Sequence, residues 1–248
     1  MSITIQCQDL IFPEIRAVVF DKDGTLANSE LFLADLGHRR IQELEQQFFG
    51  IAPLLLATYG LGDNWLRSDG LLAVGTRHDN EVATATCLAQ KGEPWAIALS
   101  LVKQCFQQAD QQLGRKADLT PVLGKSLELL RTFSSVGLRL GILSSDSTAN
   151  VVDFVHRYEM TRYIHQSLGA DQSILPKPNP EPFYQICELL EVMPHEVLMV
   201  GDSDADMLMA KRAGAAGAIG LSWGWTKPVP PKLADIVLAD CAQFRLVD

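Results

Sequence analysis

The stretch Phe20-Asp21-Lys22-Asp23-Gly24-Thr25-Leu26 decides how this chain folds. It puts two carboxylates and a glycine directly after the apolar run Ala17 to Phe20, which reads as a buried β-strand ending in an acidic turn. A second segment of this kind, Gly201-Asp202-Ser203-Asp204-Ala205-Asp206, follows the apolar run Val197 to Val200. Carboxylates at the C-terminal ends of two parallel strands converge on the crevice where open α/β sheets bind their ligands. Grouped carboxylates repel one another, so the pair predicts a hard, oxygen-preferring cation between them, with Mg²⁺ the usual choice. Either segment alone reads equally well as an acidic turn. Two of them, each behind a strand, do not.

Two further segments fit the same crevice. Leu138 to Leu143 is β-like, and Ser144-Ser145-Asp146-Ser147 follows it and opens the helical pattern of Val151, Val152, Phe154 and Val155. A hydroxyl at a strand end, beside the free N–H groups of a helix N-terminus, suits a phosphate, although Ser and Asp are also ordinary N-caps. The run Leu175-Pro176-Lys177-Pro178-Asn179-Pro180-Glu181-Pro182 holds Lys177 between prolines just ahead of a helix start. A lone lysine is usually solvated surface charge, whereas one held rigidly is a fixed point charge for an anion.

In chain order, Asp-x-Asp-Gly-Thr, strand-Ser, Lys-Pro and Gly-Asp-Ser with Asp206 beyond it resemble the motifs of the haloacid dehalogenase superfamily of phosphohydrolases. The resemblance covers nearly all of the chain outside residues 30–118 and lies closest to the phosphoglycolate phosphatase-like and β-phosphoglucomutase-like branch. It implies an α/β fold: a doubly wound, Rossmann-like parallel sheet core with an inserted helical cap domain. It also implies that Asp21 is a nucleophile and Asp23 a general acid and base. Ser144, with Ser145 beside it, and Lys177 would hold phosphate. Mg²⁺ would be held by Asp21, the backbone carbonyl of Asp23 and Asp202, with Asp206 ligating it directly or supporting it through water.

Chemistry explains those residue types. A carboxylate can attack phosphorus to form an aspartyl-phosphate, dividing one hard hydrolysis into two easier steps. A second carboxyl two residues along can protonate the leaving alkoxide and then activate water. Within the superfamily, dehalogenases typically lack the acid at position 23, and cation pumps carry Thr there. Asp23 therefore favours rapid hydrolysis. Mutases of the β-phosphoglucomutase type usually carry Val where this chain has Thr25, which favours a phosphatase over a phosphomutase. A non-catalytic binding protein on the same scaffold would be expected to have lost a catalytic carboxylate, and none is missing.

Composition agrees. With 248 residues, 47% of them hydrophobic, the chain can bury a large core. A net charge of −9 argues against nucleic acid as a partner and leaves a small phosphorylated metabolite as the expected one. No run approaches the ~20 apolar residues of a membrane helix. Five scattered cysteines without Cys-x-x-Cys spacing, and no secretory pattern at the N-terminus, point to a reduced, cytoplasmic protein. Oligomeric state is not readable from this pattern.

Strand-like runs lie at 16–21, Leu138–Ser144, Tyr163–Leu168, Glu196–Gly201, Ala216–Leu221 and Asp235–Leu238, with helical patterns between most of them. The chain should therefore divide into a core of residues 1–28 and 119–248 and a helical cap of residues 29–118. Hinges are expected at Ala27 to Glu30 and Asp118 to Pro121. Inside the cap, Arg67 and the turn-rich stretch Asp69 to His78 are candidates for substrate contact, though a helix connection with solvated charges is the simpler reading. Trp223 and Trp225 either wall the site or pack in the core.

Overall fold

The computed structural model describes residues 2–62 and 65–247. The chain enters through β1 (Ile3–Cys7) and β2 (Leu10–Ile15) and runs at once into β3 (Ala17–Phe20). A helical stretch follows: α1 (Glu30–Glu45), α2 (Ala52–Tyr59), α3 (Leu71–Val74), α4 (Arg77–Gln90), α5 (Trp95–Gln111) and α6 (Lys116–Leu119). Helices and strands then alternate through α7 (Ser126–Ser135), β4 (Arg139–Leu143), α8 (Thr148–Arg157), β5 (Gln166–Leu168), α9 (Glu181–Leu189), β6 (Val197–Gly201), α10 (Asp204–Ala213) and β7 (Gly217–Leu221). The chain closes with β8 (Ile236–Leu238) and β9 (Phe244–Val247).

The sheet that positions the site is parallel throughout, in the order β5-β4-β3-β6-β7-β8. Each of its strands lies within one of the six runs expected from sequence, and β5 takes only the last three residues of the run Tyr163–Leu168. β3 lies between β4 and β6, so chain connections leave it in both directions and open a crevice at its C-terminal end. Register fixes what meets there: Phe20 pairs with Ile142 on one side and with Val200 on the other. Asp21 therefore emerges level with Leu143 and Gly201, one residue before Ser144 and Asp202.

Residue alternation along the strands feeds two cores. Val18 and Phe20 of β3 and Leu198 and Val200 of β6 join Leu130, Phe133 and Phe154 on one face. Ala17 and Val19, with Val197 and Met199, join Phe183, Ile186 and Met207 on the other. Helices thus cover both faces, as a doubly wound α/β sheet requires. The helices between β3 and β4 bury a third cluster of their own, including Leu33, Leu44, Leu55, Tyr59, Leu88 and Phe106. The segments that lead into and out of them lie side by side: Asn28 N–H donates to the Pro121 carbonyl at 2.8 Å, and Ala27 bridges Val122.

Sequence reading named no strand before residue 16 or after Leu238, yet β2, β1 and β9 form a separate antiparallel sheet. β2 carries Pro13 and Glu14 at φ 58°, features that fit only an edge strand and mask its pattern. β9 pairs with β1 from the opposite end of the chain, which local signals cannot reveal. Phe133 ties the two sheets together, stacking on Phe20 at 6.5 Å and meeting Phe244 edge-on at 5.6 Å. Phe133→Ala should therefore lower the unfolding free energy by about 3–5 kcal/mol in denaturant titrations. Phe49→Ala, at a side chain 99% exposed, should stay within ~0.5 kcal/mol.

Candidate active site

Asp21, Asp23, Ser144, Ser145, Lys177, Asp202 and Asp206, all chosen from sequence, line one pocket of about 300 Å³. Ala73 and Val74, from α3 in the helical stretch, close its other side. Asp21 follows β3, Ser144 follows β4, Asp202 follows β6, and Asp206 lies in the first turn of α10. Lys177 comes from the proline-rich loop before α9. Its ammonium donates to Asp21 Oδ1 at 2.7 Å, to Asp206 Oδ1 at 2.6 Å and to the Leu143 carbonyl at 2.7 Å.

Asp21, Asp202 and Asp206 are all buried, and each offers a carboxylate oxygen within 4.8 Å of the others. Burial pushes the Asp21 carboxyl up, Lys177 pulls it down and Asp206 pushes it up again, leaving it at about 7. Asp202 is raised well above the usual carboxylate range, chiefly by burial and then by repulsion from Asp21 and Asp206. Its partners are neutral: Thr25 Oγ1 at 3.2 Å and the Trp225 indole N–H at 2.6 Å. Asp206 is held by a capping box, with Ser203 Oγ donating to it at 2.6 Å. Asp204 turns away and accepts the Leu233 N–H at 2.8 Å.

A second charged group, largely missed from sequence, adjoins the first. Asp23 and Asp146 share two lysines. Lys22 lies 2.6 Å from Asp23 and 3.1 Å from Asp146, and Lys116 lies 3.2 Å and 2.7 Å from the same two carboxylates. Ser29 Oγ also donates to Asp23. Burial raises the Asp23 carboxyl, but Lys116 and Lys22 outweigh it and the net direction is down. Lys22 occupies the position between the two motif aspartates and is 1% exposed, so its contact with Asp23 is local, whereas its contact with Asp146 depends on the pairing of β3 with β4. Lys116 arrives from α6, 93 residues beyond Asp23, and nothing local marks it.

Charge arithmetic separates the two groups. Asp23 and Asp146 are balanced by Lys22 and Lys116, whereas Asp21, Asp202 and Asp206 have Lys177 alone and are two positive charges short. Three buried carboxylates with that deficit make a donor set of the kind a divalent, oxygen-preferring cation takes, so the residues present fit Mg²⁺.

Gly24 is needed where it stands. Its φ is +78°, and a Cβ there would collide with the Trp225 indole nitrogen and with Asp202 Oδ2. Trp223 donates to the Thr25 carbonyl at 3.3 Å. Both tryptophans thus brace the acidic loop, and Trp225 packs at the same time into the apolar cluster of the helical stretch. The stretch from Asp69 to His78 divides: Asp69 pairs with Arg67 in solvent and His78 is exposed, whereas Ala73 and Val74 reach the pocket.

The haloacid dehalogenase-like hydrolase family model matches residues 15–214. A phosphoglycolate phosphatase from Vibrio vulnificus is 28% identical over 237 residues, covering 93% of this chain and 95% of that protein. A crystal structure described as a predicted phosphoglycolate phosphatase from Haemophilus somnus superposes with a TM-score of 0.69 at 21% identity, covering 92% of this chain and 96% of that one. A haloacid dehalogenase family hydrolase from Deinococcus radiodurans, solved with bound phosphate and sodium, superposes with a TM-score of 0.59 at 19% identity over 93% of each chain. With the family model spanning most of its length, this chain belongs to the haloacid dehalogenase-like hydrolases and is an enzyme of the phosphohydrolase type.

Proposed function

We propose that the protein is a Mg²⁺-dependent phosphatase that hydrolyses a small phosphomonoester through an aspartyl-phosphate on Asp21. One observation carries this reading: the Lys177 ammonium bridges Asp21 and Asp206 in a pocket that also contains Ser144, Asp23 and Asp202. A carboxylate nucleophile, a fixed cation and hydroxyl donors then face a single phosphate-sized space. The Vibrio relative's name makes phosphoglycolate the first substrate to try.

Asp21, Asp202, Asp206 and the Asp23 carbonyl are the groups that would hold Mg²⁺. When bound, the ion would neutralise charge on the phosphoryl oxygens and keep Asp21 ionised. Asp21 attacks phosphorus in line with the leaving oxygen. Lys177 and Ser144 steady the equatorial oxygens. Asp23 hands a proton to the departing alkoxide, then takes one from the water that cleaves the acyl-phosphate. In this reading residues 29–118 act as a cap over a core of 1–28 and 119–248, and Ala73 and Val74 help to keep bulk water from the reacting centre.

Asp21→Asn should lower turnover at least ~10³-fold, because an amide is a poor nucleophile toward phosphorus. Beryllium fluoride should add to Asp21 in the wild type. Near-normal turnover in the variant would overturn the mechanism.

Protons and Mg²⁺ compete for Asp21, whose carboxyl sits at about 7. Below that pH the site holds protons, and above it the carboxylate is free. The rise in melting temperature on adding Mg²⁺ should therefore be larger near pH 8 than near pH 5.5. Asp202→Ala should abolish that rise, while Asp204→Ala, whose carboxylate faces Leu233, should keep it. The reverse ranking would refute this assignment of ligands.

Asp23→Asn tests the proton transfer. It should cost alkyl phosphates most of their hydrolysis, yet spare formation of the aspartyl-phosphate from p-nitrophenyl phosphate, whose leaving group needs little protonation. Equal losses in pre-steady-state bursts with both substrates would remove Asp23 from that role.

A further inference from the structure

A second cavity of about 500 Å³ opens beside the first and shares Asp23, Ala73 and Ser145 with it. One wall is apolar, built from Leu33, Leu36 and Leu72; the polar remainder includes Arg77 and Lys116, both already paired with carboxylates, and Arg40 and Asn80. Because it begins at Asp23, it is the space into which the alcohol part of a phosphomonoester would extend. This placement rests on the phosphatase reading.

Arg40 breaks the pattern of its own helix. The buried stripe of α1 runs Leu33, Leu36, Gly37, Arg40, Ile41 and Leu44, and helical spacing at position 40 calls for an apolar side chain. Arg40 is instead 5% exposed, its guanidinium lies over the Phe106 ring at 4.1 Å, and its buried Nε–H has no hydrogen-bond partner among the described residues. Asp110 supplies the nearest carboxylate, 3.7 Å from Nη2, beyond hydrogen-bond reach, and Asp110 itself bonds to Arg77. Burial, the largest influence, holds the Arg40 pKa below its ordinary value against the pull of Asp110. A buried charge left this poorly matched is costly unless something else completes it.

Asn80 shows the same incompleteness. Its Nδ2 donates to the Thr76 carbonyl at 2.8 Å and approaches those of Gly75 at 3.4 Å and Leu71 at 3.5 Å, which fixes the orientation of the amide. The Oδ1 that remains is buried and has no partner among the described residues. The cavity wall therefore carries one unmatched cationic donor and one unmatched acceptor.

We propose that Arg40 is a specificity residue that binds an anionic group at the far end of the substrate's alcohol part, with Asn80 accepting from a hydroxyl next to it. The guanidinium fork takes a carboxylate or a second phosphate. Asp21→Asn protein, which binds without turnover, separates these by titration calorimetry with two pairs of probes. They are 3-phosphoglycerate against glycerol 3-phosphate, and fructose 1,6-bisphosphate against fructose 6-phosphate. Every probe keeps at least one hydroxyl for Asn80, and within each pair the second anion takes the place of one terminal hydroxyl.

The member of at least one pair that carries the second anionic group should bind at least ~10-fold tighter than the member that lacks it, and adding Arg40→Gln should erase that ratio. Arg40→Lys should recover part of it. Arg40→Met should melt no lower than the wild type, because it removes a buried, poorly paired charge. Equal affinities within both pairs, or a preference that survives Arg40→Gln, would overturn the assignment, as would a marked loss of melting temperature in Arg40→Met. If the preference depends on Arg40 but the wild type releases no phosphate from the preferred ester, the phosphatase reading fails and the anion subsite stands.

Discussion

Electrostatic repulsion among five carboxylates at the ends of three adjacent parallel strands is the constraint on which the rest of the site depends. Asp21, Asp23, Asp146, Asp202 and Asp206 lie where the register of β3, β4 and β6 brings the strand ends level. Buried carboxylates this close cannot all stay ionised without compensation. The chain answers with three lysines, each bridging two of the five. Two of them saturate one pair, and the third leaves its trio in deficit. The deficit falls beside the nucleophile candidate, where a divalent cation does the most to keep a carboxylate ionised. Charge placement, rather than the fold alone, is what distinguishes this crevice from an ordinary ligand cleft.

The same loops join the sheet to the helices above it. Gly24 and Gly224 approach so closely that a Cβ on Gly224 would overlap the Gly24 carbonyl. That approach lets Trp225 donate to Asp202 while its ring enters the apolar cluster of the helical stretch. The contacts continue along the loop: Thr226 N–H donates to Glu30 at the start of α1, and Val229 N–H donates to Ser68 Oγ, both at 2.7 Å. The loop after β7 thus contacts a cation-ligand candidate at one end and the helices at the other. Any movement of the helices against the sheet would have to carry or break these contacts.

What could be read from sequence follows the range of the interactions involved. The six strands of the parallel sheet announced themselves because each is a short apolar run with its own flanking turn. The motif residues were legible because each follows such a run, so strand order alone brings Asp21, Ser144 and Asp202 together. Lys177 was legible through its prolines. The antiparallel sheet was not, since β9 finds β1 across nearly the whole chain and β2 is disguised by Pro13. Lys116 and Arg40 were hidden for a related reason. One reaches its partners across 93 residues, and the other declares itself only by occupying an apolar position on α1, a departure visible once the buried face of that helix is known.

The lowered pKa of Asp23 bears on how a proton donor can work in this crevice. With Lys22 and Lys116 both in contact, the carboxylate is held ionised, which suits a base and not an acid. A phosphoryl dianion entering the adjacent pocket changes the balance, because added negative charge beside a carboxylate favours its protonated form. It also competes for Lys116, whose side chain is 15% exposed against 1% for Lys22. In the proposed mechanism the substrate therefore helps to load the acid that its own leaving group requires. In the same proposed mechanism the proton would leave with the alcohol, and the two lysines would stabilise the carboxylate that next activates water. The paired lysines favour the second step at the expense of the first, and the charge of the bound phosphate offsets that bias while the ester is intact.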